Sequence, residues 1–180
     1  MFAYQADEHI QLRLLEPRFA EDLFQLADRN RAYLREWLPW VDGTRTPIDT
    51  SNYIKFTLSE FARNNGFQAG IFYQGNIAGC IGLHSIDWEN KKTSIGYWLG
   101  SEFQGRGIMT RSCKAIINHI FNDLGLNRVE IRAAVMNRRS RAVPERLGFT
   151  QEGTIRRAEW LYDHYVDHVV YGLLKEEWVQ

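Results

Sequence analysis

The stretch Gln104-Gly105-Arg106-Gly107-Ile108-Met109 stands between a predicted β-strand and a long predicted helix. Glycine at positions 105 and 107 lets the backbone approach a ligand closely, because neither residue has a side chain in the way. The first turn of a helix presents unpaired N–H groups and the positive end of the helix dipole. The stretch therefore predicts an anion site built from main-chain amides, and an ordinary strand-to-helix turn is the competing interpretation.

Three antiparallel strands are predicted directly before this stretch, and they cover residues 67–73, 77–87 and 93–99. Gln74-Gly75-Asn76 predicts the first hairpin turn, because glycine and asparagine accept positive φ, and Asn90-Lys91-Lys92 predicts the second. Apolar spacing further upstream predicts one strand and three helices. These cover residues 9–15, 17–27, 32–37 and 50–63.

After this stretch the chain alternates between helices and strands, beginning with a helix at 107–124 that Gly125 caps in a left-handed conformation. The remaining elements are a strand at 128–135, a short helix at 140–147, and strands at 149–156 and 166–174. Together the elements predict a mixed α/β (α+β) fold. Its central sheet is mixed, mostly antiparallel and of about seven strands, with helices on both faces. The length suits a single domain, 1–180.

The charge is balanced overall, with 22 basic and 22 acidic residues, but residues 104–148 hold nine basic and three acidic ones. A neutral chain argues against general nucleic-acid binding, whereas a local basic segment suits either a small phosphorylated ligand or a solvated face. Residues 1–8 do not resemble a signal peptide, and no apolar run is long enough to span a bilayer. Two cysteines without metal-ligand spacing predict a reducing, cytoplasmic environment and no metal.

Two other phosphate-binding motifs compete with this interpretation. A P-loop is excluded, because the chain lacks G-x-x-x-x-G-K-[ST]. A dinucleotide site is partly matched by Gly105-x-Gly107-x-x-Thr110, but the third glycine is replaced by threonine. The acidic residue expected at the end of the next strand is also missing, since that end is Val135-Met136-Asn137. The segment moreover follows an antiparallel meander, so an NAD site is disfavoured.

A second motif lies downstream, in the run from Asn137-Arg138-Arg139-Ser140 to Glu145-Arg146-Leu147-Gly148-Phe149. With Gln104-x-x-Gly107, it resembles the paired motifs of the GNAT superfamily, [QR]-x-x-G-x-[GA] and N-x-x-S…E-[KR]-L-G-F. Either motif alone is weak, but the order and separation of the pair are specific. Three further segments are similar to the RimJ/RimL branch, which contains bacterial ribosomal-protein N-terminal acetyltransferases. They are Leu12-Arg13-Leu14-Leu15-Glu16-Pro17, Ile95-Gly96-Tyr97-Trp98-Leu99 and Asp167-His168-Val169-Val170-Tyr171.

The resemblance implies a GNAT fold and an acetyl-CoA-dependent N-acetyltransferase in which the amine attacks directly within a ternary complex. The acceptor it implies is the N-terminal α-amine of a ribosomal protein, with no nucleic acid or membrane partner. A small-amine acetyltransferase (polyamine, amino acid or aminoglycoside) and a non-catalytic acetyl-CoA-binding protein stay open. So does the oligomeric state, a homodimer included.

The resemblance also assigns roles to residues. Ser140 would protonate the departing thiolate or only cap a helix, and Glu159 would be the general base or a rim carboxylate paired with Arg156 or Arg157. Trp37, Trp40 and Trp160 would line the acceptor pocket. The expected cofactor-binding residues are Tyr97, Trp98, Leu99, Gln104, Gly105, Arg106, Gly107, Ile108, Met109, Thr110, Asn137, Ser140 and Arg141.

Two residues depart from the family pattern. Met109 stands where glycine or alanine is usual, so its side chain must turn away from the cofactor. Pro144 lies inside the short predicted helix, where it removes the hydrogen bond to the carbonyl of Ser140. We therefore expect this helix to be kinked or to begin later than the motif suggests.

Overall fold

Alternating apolar and polar residues build one eight-stranded sheet with the strand order β1-β2-β3-β4-β5-β6-β8-β7. The computed structural model describes residues 3–179, so residues 1, 2 and 180 of the predicted domain lie outside the described part. The strands are β1 Ala3–Gln5, β2 Ile10–Leu14, β3 Phe67–Tyr73, β4 Asn76–Leu83, β5 Lys92–Leu99, β6 Arg128–Ala134, β7 Thr150–Leu161 and β8 His164–Leu174. The α-helices are α1 Ala20–Arg29, α2 Arg31–Arg35, α3 Pro47–Ala62, α4 Ile108–Asn118 and α5 Arg138–Arg146.

The sheet is mixed and mostly antiparallel, as predicted. Among the strands of the described residues only β5 and β6 run parallel, and their register covers Lys92 to Ile95 against Arg128 to Ile131. The sheet has eight strands rather than about seven, because Ala3–Gln5 pairs with β2 at its edge. A strand of three residues is too short to show a diagnostic alternation, so the sequence pattern did not indicate it.

Helices cover both faces of the sheet, which confirms that prediction. Ala69 and Ile71 of β3 belong to the main core, together with Ile116 of α4. Phe72, the next residue of β3, packs on the other face in a cluster that contains Leu23 of α1 and Ile54 of α3. The alternation of side chains along a strand thus supplies two apolar layers. Within residues 3–179 no helix is both long enough and apolar enough to cross a membrane.

Two helices begin earlier than the apolar spacing indicates, because polar residues outside the spacing cap them. Helix α3 starts at Pro47, where Thr46 and Asp49 form a reciprocal capping box. Helix α5 starts at Arg138, because the side chain of Asn137 accepts a hydrogen bond from the Ser140 N–H. The expected later start caused by Pro144 is therefore wrong, and the proline lies inside the helix.

The predicted turns form, but several strands and helices end at other residues than predicted. The first hairpin turn forms as predicted, but positive φ falls on Gln74 and Gly75, and Asn76 already belongs to β4. Gly125 adopts a φ of 65°, the left-handed conformation expected after the long helix. That helix ends as a π-helical segment, His119–Asp123. Strand β4 ends at Leu83, short of residue 87, whereas β7 runs on to Leu161 through an irregularity in its pairing with β8.

One ion-pair cluster joins β6 to the edge strand β7. The Arg128 guanidinium donates to Glu130 at 2.8 Å and to Glu152 at 2.7 Å. Burial raises the pKa of Glu130, but hydrogen bonds from Arg128 and Arg132 outweigh burial and leave the pKa below its usual range. The hydrogen bond from Arg128 also lowers the pKa of Glu152. Gly172 leaves room for the cluster, since a Cβ there would lie 2.3 Å from a Glu152 carboxylate oxygen.

Replacing Arg128 by methionine is expected to lower the melting temperature at neutral pH by about 2–6 °C, because two partly buried carboxylates lose their partner. Since folding lowers the pKa values of Glu130 and Glu152, this stabilisation is complete above about pH 4.5 and disappears as the pH falls through the lowered values. Melting curves from about pH 3 to about pH 7 test this. Arg63→Met, which breaks an ion pair with Glu60 at an arginine that is itself largely exposed, is the control. An effect of Arg128→Met that is equal at every pH would contradict the prediction.

Candidate active site

The sheet opens between β5 and β6. Their parallel register ends at Ile95 and Ile131, although the strands continue to Leu99 and Ala134. Among residues 3–179 no strand pairs with β5 on this side beyond Ile95. The diverging strands leave a V-shaped gap, with the end of β5 on one side and the start of α5 on the other.

The free edge of β5 presents main-chain groups to this gap. Ser94 accepts a hydrogen bond from His84 N–H, and Gly100 N–H donates to Ala78, both toward β4. In an antiparallel pair alternate residues bond to the same neighbour, so the main-chain groups of Tyr97 and Leu99 point away from β4. They are the donors and acceptors available to an extended ligand.

A cleft of about 750 Å³ occupies the gap. Its lining combines the end of β5, the loop before α4, the first turn of α4, the first turns of α5 and part of the α2 region. The lining residues are Tyr33, Leu34, Trp37, Leu38, Tyr97, Trp98, Leu99, Phe103, Gln104, Gly105, Gly107, Ile108, Met109, Thr110, Arg111, Asn137, Arg139, Ser140, Val143 and Arg146. They include three arginines and no aspartate or glutamate from the described chain.

The glycine loop forms one wall of the cleft. Gly105 and Gly107 adopt φ values of 73° and 69°, and Gly107 is the N-cap of α4. No atom lies within 4 Å of the position that a Cβ on Gly105 would take, so the approach to the α4 amides is open. The Met109 side chain belongs to the main core, which agrees with its expected orientation. This wall fits a phosphate group at a helix N-terminus.

Most of the predicted site residues meet in the cleft. From the predicted cofactor set it contains Tyr97, Trp98, Leu99, Gln104, Gly105, Gly107, Ile108, Met109, Thr110, Asn137 and Ser140, and from the predicted acceptor set Trp37. Tyr33, Arg111, Arg139 and Arg146 also line the cleft and were not predicted as site residues, although the basic run 104–148 contains the three arginines. Arg139 donates to the Gln104 side chain at 2.7 Å, and Asp7 holds Arg111 at the same distance.

Five predicted site residues do not line the cleft. Arg141 is turned toward β8, where it donates to the Tyr171 hydroxyl at 2.9 Å. Arg106 lies 5.9 Å from the centre of the Tyr73 ring. Trp40 packs on Trp98, with 5.8 Å between the ring centres. Arg141 and Arg106 thus contact residues outside the cleft, whereas Trp40 packs on a residue that lines it.

The other two residues, Glu159 and Trp160, lie on β7. Trp160 packs on Tyr165 of β8 with 4.7 Å between ring centres. The Glu159 carboxylate lies 3.3 Å from His168, rather than beside Arg156 or Arg157. Within residues 3–179 no group of three or more His, Cys, Asp or Glu side chains could hold a metal ion, and the absence of a metal stays a prediction.

Ser140 lies where the two walls meet. Its N–H donates to the Asn137 side chain at 3.1 Å, and its carbonyl accepts from the Tyr97 hydroxyl at 2.9 Å. Its own hydroxyl is 3.5 Å from the Tyr97 oxygen, at the limit of a hydrogen bond. Burial raises the pKa of Tyr97 well above its usual value, so the phenol stays protonated.

A mixed sheet splayed beside a glycine loop and a helix N-terminus is the architecture of a GNAT-type acetyltransferase. The acetyltransferase (GNAT) domain family matches residues 9–150, and the chain belongs to this family. Its relatives include the "Putative ribosomal N-acetyltransferase YdaF" of Bacillus subtilis (strain 168), 42% identical over 99% of this chain and 98% of that protein. The ribosomal-protein-serine acetyltransferase of Escherichia coli (strain K12) is 30% identical over 93% of this chain and 94% of that protein.

Solved structures of similar proteins contain coenzyme A or acetyl-CoA. RimL, a ribosomal L7/L12 α-N-protein acetyltransferase in complex with coenzyme A, superimposes with a TM-score of 0.93 at 30% identity, covering 97% of this chain and 99% of that one. The microcin C7 self-immunity acetyltransferase MccE, in complex with acetyl-CoA and AMP, gives a TM-score of 0.92 at 29% identity, covering 96% of each chain. The chain is accordingly an acetyl-CoA-dependent N-acetyltransferase.

Gly107→Ala is expected to weaken coenzyme A binding about tenfold, because a methyl group would strain the left-handed N-cap and occupy the approach to the helix amides. Isothermal titration calorimetry with coenzyme A measures the loss. Gly125→Ala is a matched control, since Gly125 has a φ of 65° and equally open surroundings outside the cleft. The control should lose similar thermal stability and keep its affinity. Equal affinities in the two variants would argue against a phosphate site at α4.

Proposed function

We propose that the chain transfers acetyl from acetyl-CoA to the N-terminal α-amine of a protein, with a ribosomal protein as the acceptor, by direct attack in a ternary complex. The observation that carries the proposal is the composition of the cleft, which joins an open strand edge, a helix N-terminus and Ser140 without a lining carboxylate. The names of two relatives, the Escherichia coli ribosomal-protein-serine acetyltransferase and RimL, support the choice of acceptor.

The two halves of the cleft suit the two halves of coenzyme A. The pyrophosphate would accept hydrogen bonds from main-chain amides at Gly105 to Thr110, with Arg111, Arg139 and Arg146 supplying positive charge. The pantetheine arm carries amide groups of its own, which can pair with the free edge of β5 at Tyr97 and Leu99. The same edge offers a main-chain N–H to the thioester oxygen and to the oxyanion that forms from it.

The absence of a lining aspartate or glutamate within residues 3–179 discriminates between classes of amine. An α-amine, with a pKa of about 7.8, is neutral in roughly one molecule of eight at neutral pH, against about one in two thousand for a lysine side chain. A lysine or a polyamine therefore needs a strong base, and a polyamine also needs a partner for its second cation. An α-amine needs only a weak base and carries no second cation. A cleft without a lining carboxylate therefore favours an α-amine.

In the proposed reaction the neutral amine nitrogen attacks the thioester carbon, and the carbon–sulfur bond breaks as the amide forms. The Ser140 hydroxyl donates a hydrogen bond to the departing sulfur and relays a solvent proton to it. The proton that the amine loses passes to Glu159, directly or through a water molecule, and from there to solvent. In the net reaction, the acetyl group moves from sulfur to nitrogen, the amine loses one proton and the thiolate gains one.

Glu159 stays the proposed base although it does not line the cleft. It lies on β7, in the hairpin formed by β7 and β8. Tyr162, in the turn of this hairpin, donates a hydrogen bond from its hydroxyl to the Leu38 carbonyl. Leu38 lines the cleft, so this hairpin borders the acceptor side. His168, at 3.3 Å, is the titratable neighbour that would share the proton.

A small molecule with a free α-amine is the second candidate acceptor. MccE, which is similar over almost its whole length, was solved with AMP beside acetyl-CoA. In this chain Tyr33, Trp37 and Trp98 give the cleft aromatic walls that would suit a planar group.

Three further predictions from the sequence stay predictions. They are a single domain 1–180, a homodimer and a cytoplasmic location.

Peptides with a free N-terminus are expected to react with a kcat/KM about 100-fold or more above that of N-blocked peptides containing lysine. The reason is that a much larger fraction of an α-amine than of a lysine amine is neutral at about pH 7. Their rate should rise with pH up to about 7.8, the pKa of the amine. Thiol release from acetyl-CoA, measured across peptides, aminoacyl nucleotides, polyamines and aminoglycosides, tests this. Faster turnover of a polyamine than of any peptide would reject the proposed acceptor. Coenzyme A binding without turnover of any amine would indicate a non-catalytic protein.

Ser140→Ala and Glu159→Gln are each expected to lower kcat about 100-fold, because general acid and base groups typically contribute at least that much. Both variants should keep their affinity for coenzyme A, measured by calorimetry. Ser59→Ala and Glu21→Gln, at positions of α3 and α1 outside the cleft, are matched controls with unchanged kcat. If Glu159→Gln behaves like its control, the amine needs no protein base, and Glu159 is a rim carboxylate.

A further inference from the structure

The proline inside α5 leaves one helix carbonyl without its usual donor. In an α-helix the N–H of residue 144 would donate to the carbonyl of residue 140, and proline has no N–H. The carbonyl in question belongs to Ser140, the residue that the proposed function places at the departing sulfur. Ser140 is only partly buried, but a carbonyl removed from water without a donor is costly, so a partner from another element stabilises it.

That partner is Tyr97, from the opposite wall of the cleft. The Tyr97 hydroxyl donates to the Ser140 carbonyl at 2.9 Å. Tyr97 lies on β5 two residues beyond Ile95, where the pairing with β6 has ended. The bond therefore joins the two walls across the gap, at the first turn of α5.

The bonds around Ser140 leave only its hydroxyl free to act. Its N–H is taken by Asn137 and its carbonyl by Tyr97, whereas its hydroxyl has one marginal contact at 3.5 Å. We propose that Tyr97 is a positioning residue for Ser140, and that its phenol replaces the backbone N–H that Pro144 lacks. This inference rests on the role given to the Ser140 hydroxyl under the proposed function.

The geometry argues for positioning by Tyr97 rather than for proton transfer. The single phenolic proton points to the Ser140 carbonyl, so it is not directed at a sulfur or an amine. Burial raises the pKa of Tyr97, which keeps the phenol a donor over the whole working range of pH. The neighbours that act on this phenol, Cys113 and Tyr171, are neutral when protonated.

The test is a double-mutant cycle with Tyr97→Phe and Pro144→Ala. Tyr97→Phe is expected to lower the melting temperature by about 3–8 °C and kcat about tenfold, with the KM for acetyl-CoA changed less than about threefold. An alanine at position 144 restores the backbone N–H. Adding Pro144→Ala to Tyr97→Phe should therefore recover at least about half of the lost melting temperature and part of the lost kcat.

Tyr162→Phe is the matched control, because it also removes one phenol-to-carbonyl hydrogen bond, the one to Leu38. Its effect on the melting temperature should simply add to that of Pro144→Ala. Additive effects for Tyr97→Phe and Pro144→Ala, or an unchanged kcat in Tyr97→Phe, would overturn the proposal.

The cycle separates this inference from the proposed function. If Ser140→Ala leaves kcat unchanged, the catalytic role of Ser140 fails, and positioning of its hydroxyl fails with it. The thermal coupling between positions 97 and 144 would then still report the structural bond. If Ser140→Ala is slow and Tyr97→Phe is not, the proposed function survives and the positioning role of Tyr97 is rejected.

Discussion

The parallel pairing of β5 with β6 stops after Ile95 and Ile131, although both strands continue. Main-chain N–H and C=O groups at a free strand edge need hydrogen-bond partners. In a folded protein these edges are covered by other elements or bind another chain or a ligand. Here the edge of β5 faces a cleft of about 750 Å³. An extended ligand with amide groups, such as the pantetheine arm in the proposed function, can complete the strand. One short parallel contact thus leaves both a gap and a free strand edge that faces it.

The open gap needs connections that keep its walls at a set separation. Tyr97 joins β5 to α5 through the Ser140 carbonyl, and Arg139 joins α5 to Gln104 on the glycine loop. These are polar contacts between elements far apart in sequence. They connect the walls of the cleft beyond the point where the pairing of β5 with β6 ends.

The agreement between prediction and structure is best where local chemistry decides the outcome. Strand β3 matches its predicted range, Gly125 takes its left-handed conformation, and α4 begins within one residue of its predicted start. It is poorer where capping residues extend a helix, as at Thr46 before α3. For the site, the family resemblance predicted more than half of the residues that line the cleft, but not the direction of long side chains. Arg141 follows Ser140 directly, yet it points to Tyr171 because successive helical residues face different directions.

By itself, the sequence determined the order of strands and helices apart from the edge strand β1, the left-handed Gly125, the family and the residues of both motifs. These depend on periodicity and on backbone conformation within a few residues. Only the tertiary structure decided where β5 leaves β6, that Glu159 lies beside His168, and that the carbonyl freed by Pro144 bonds Tyr97. Such contacts join residues separated by many positions, and a side chain has many partners within reach until the packing of the whole chain selects one.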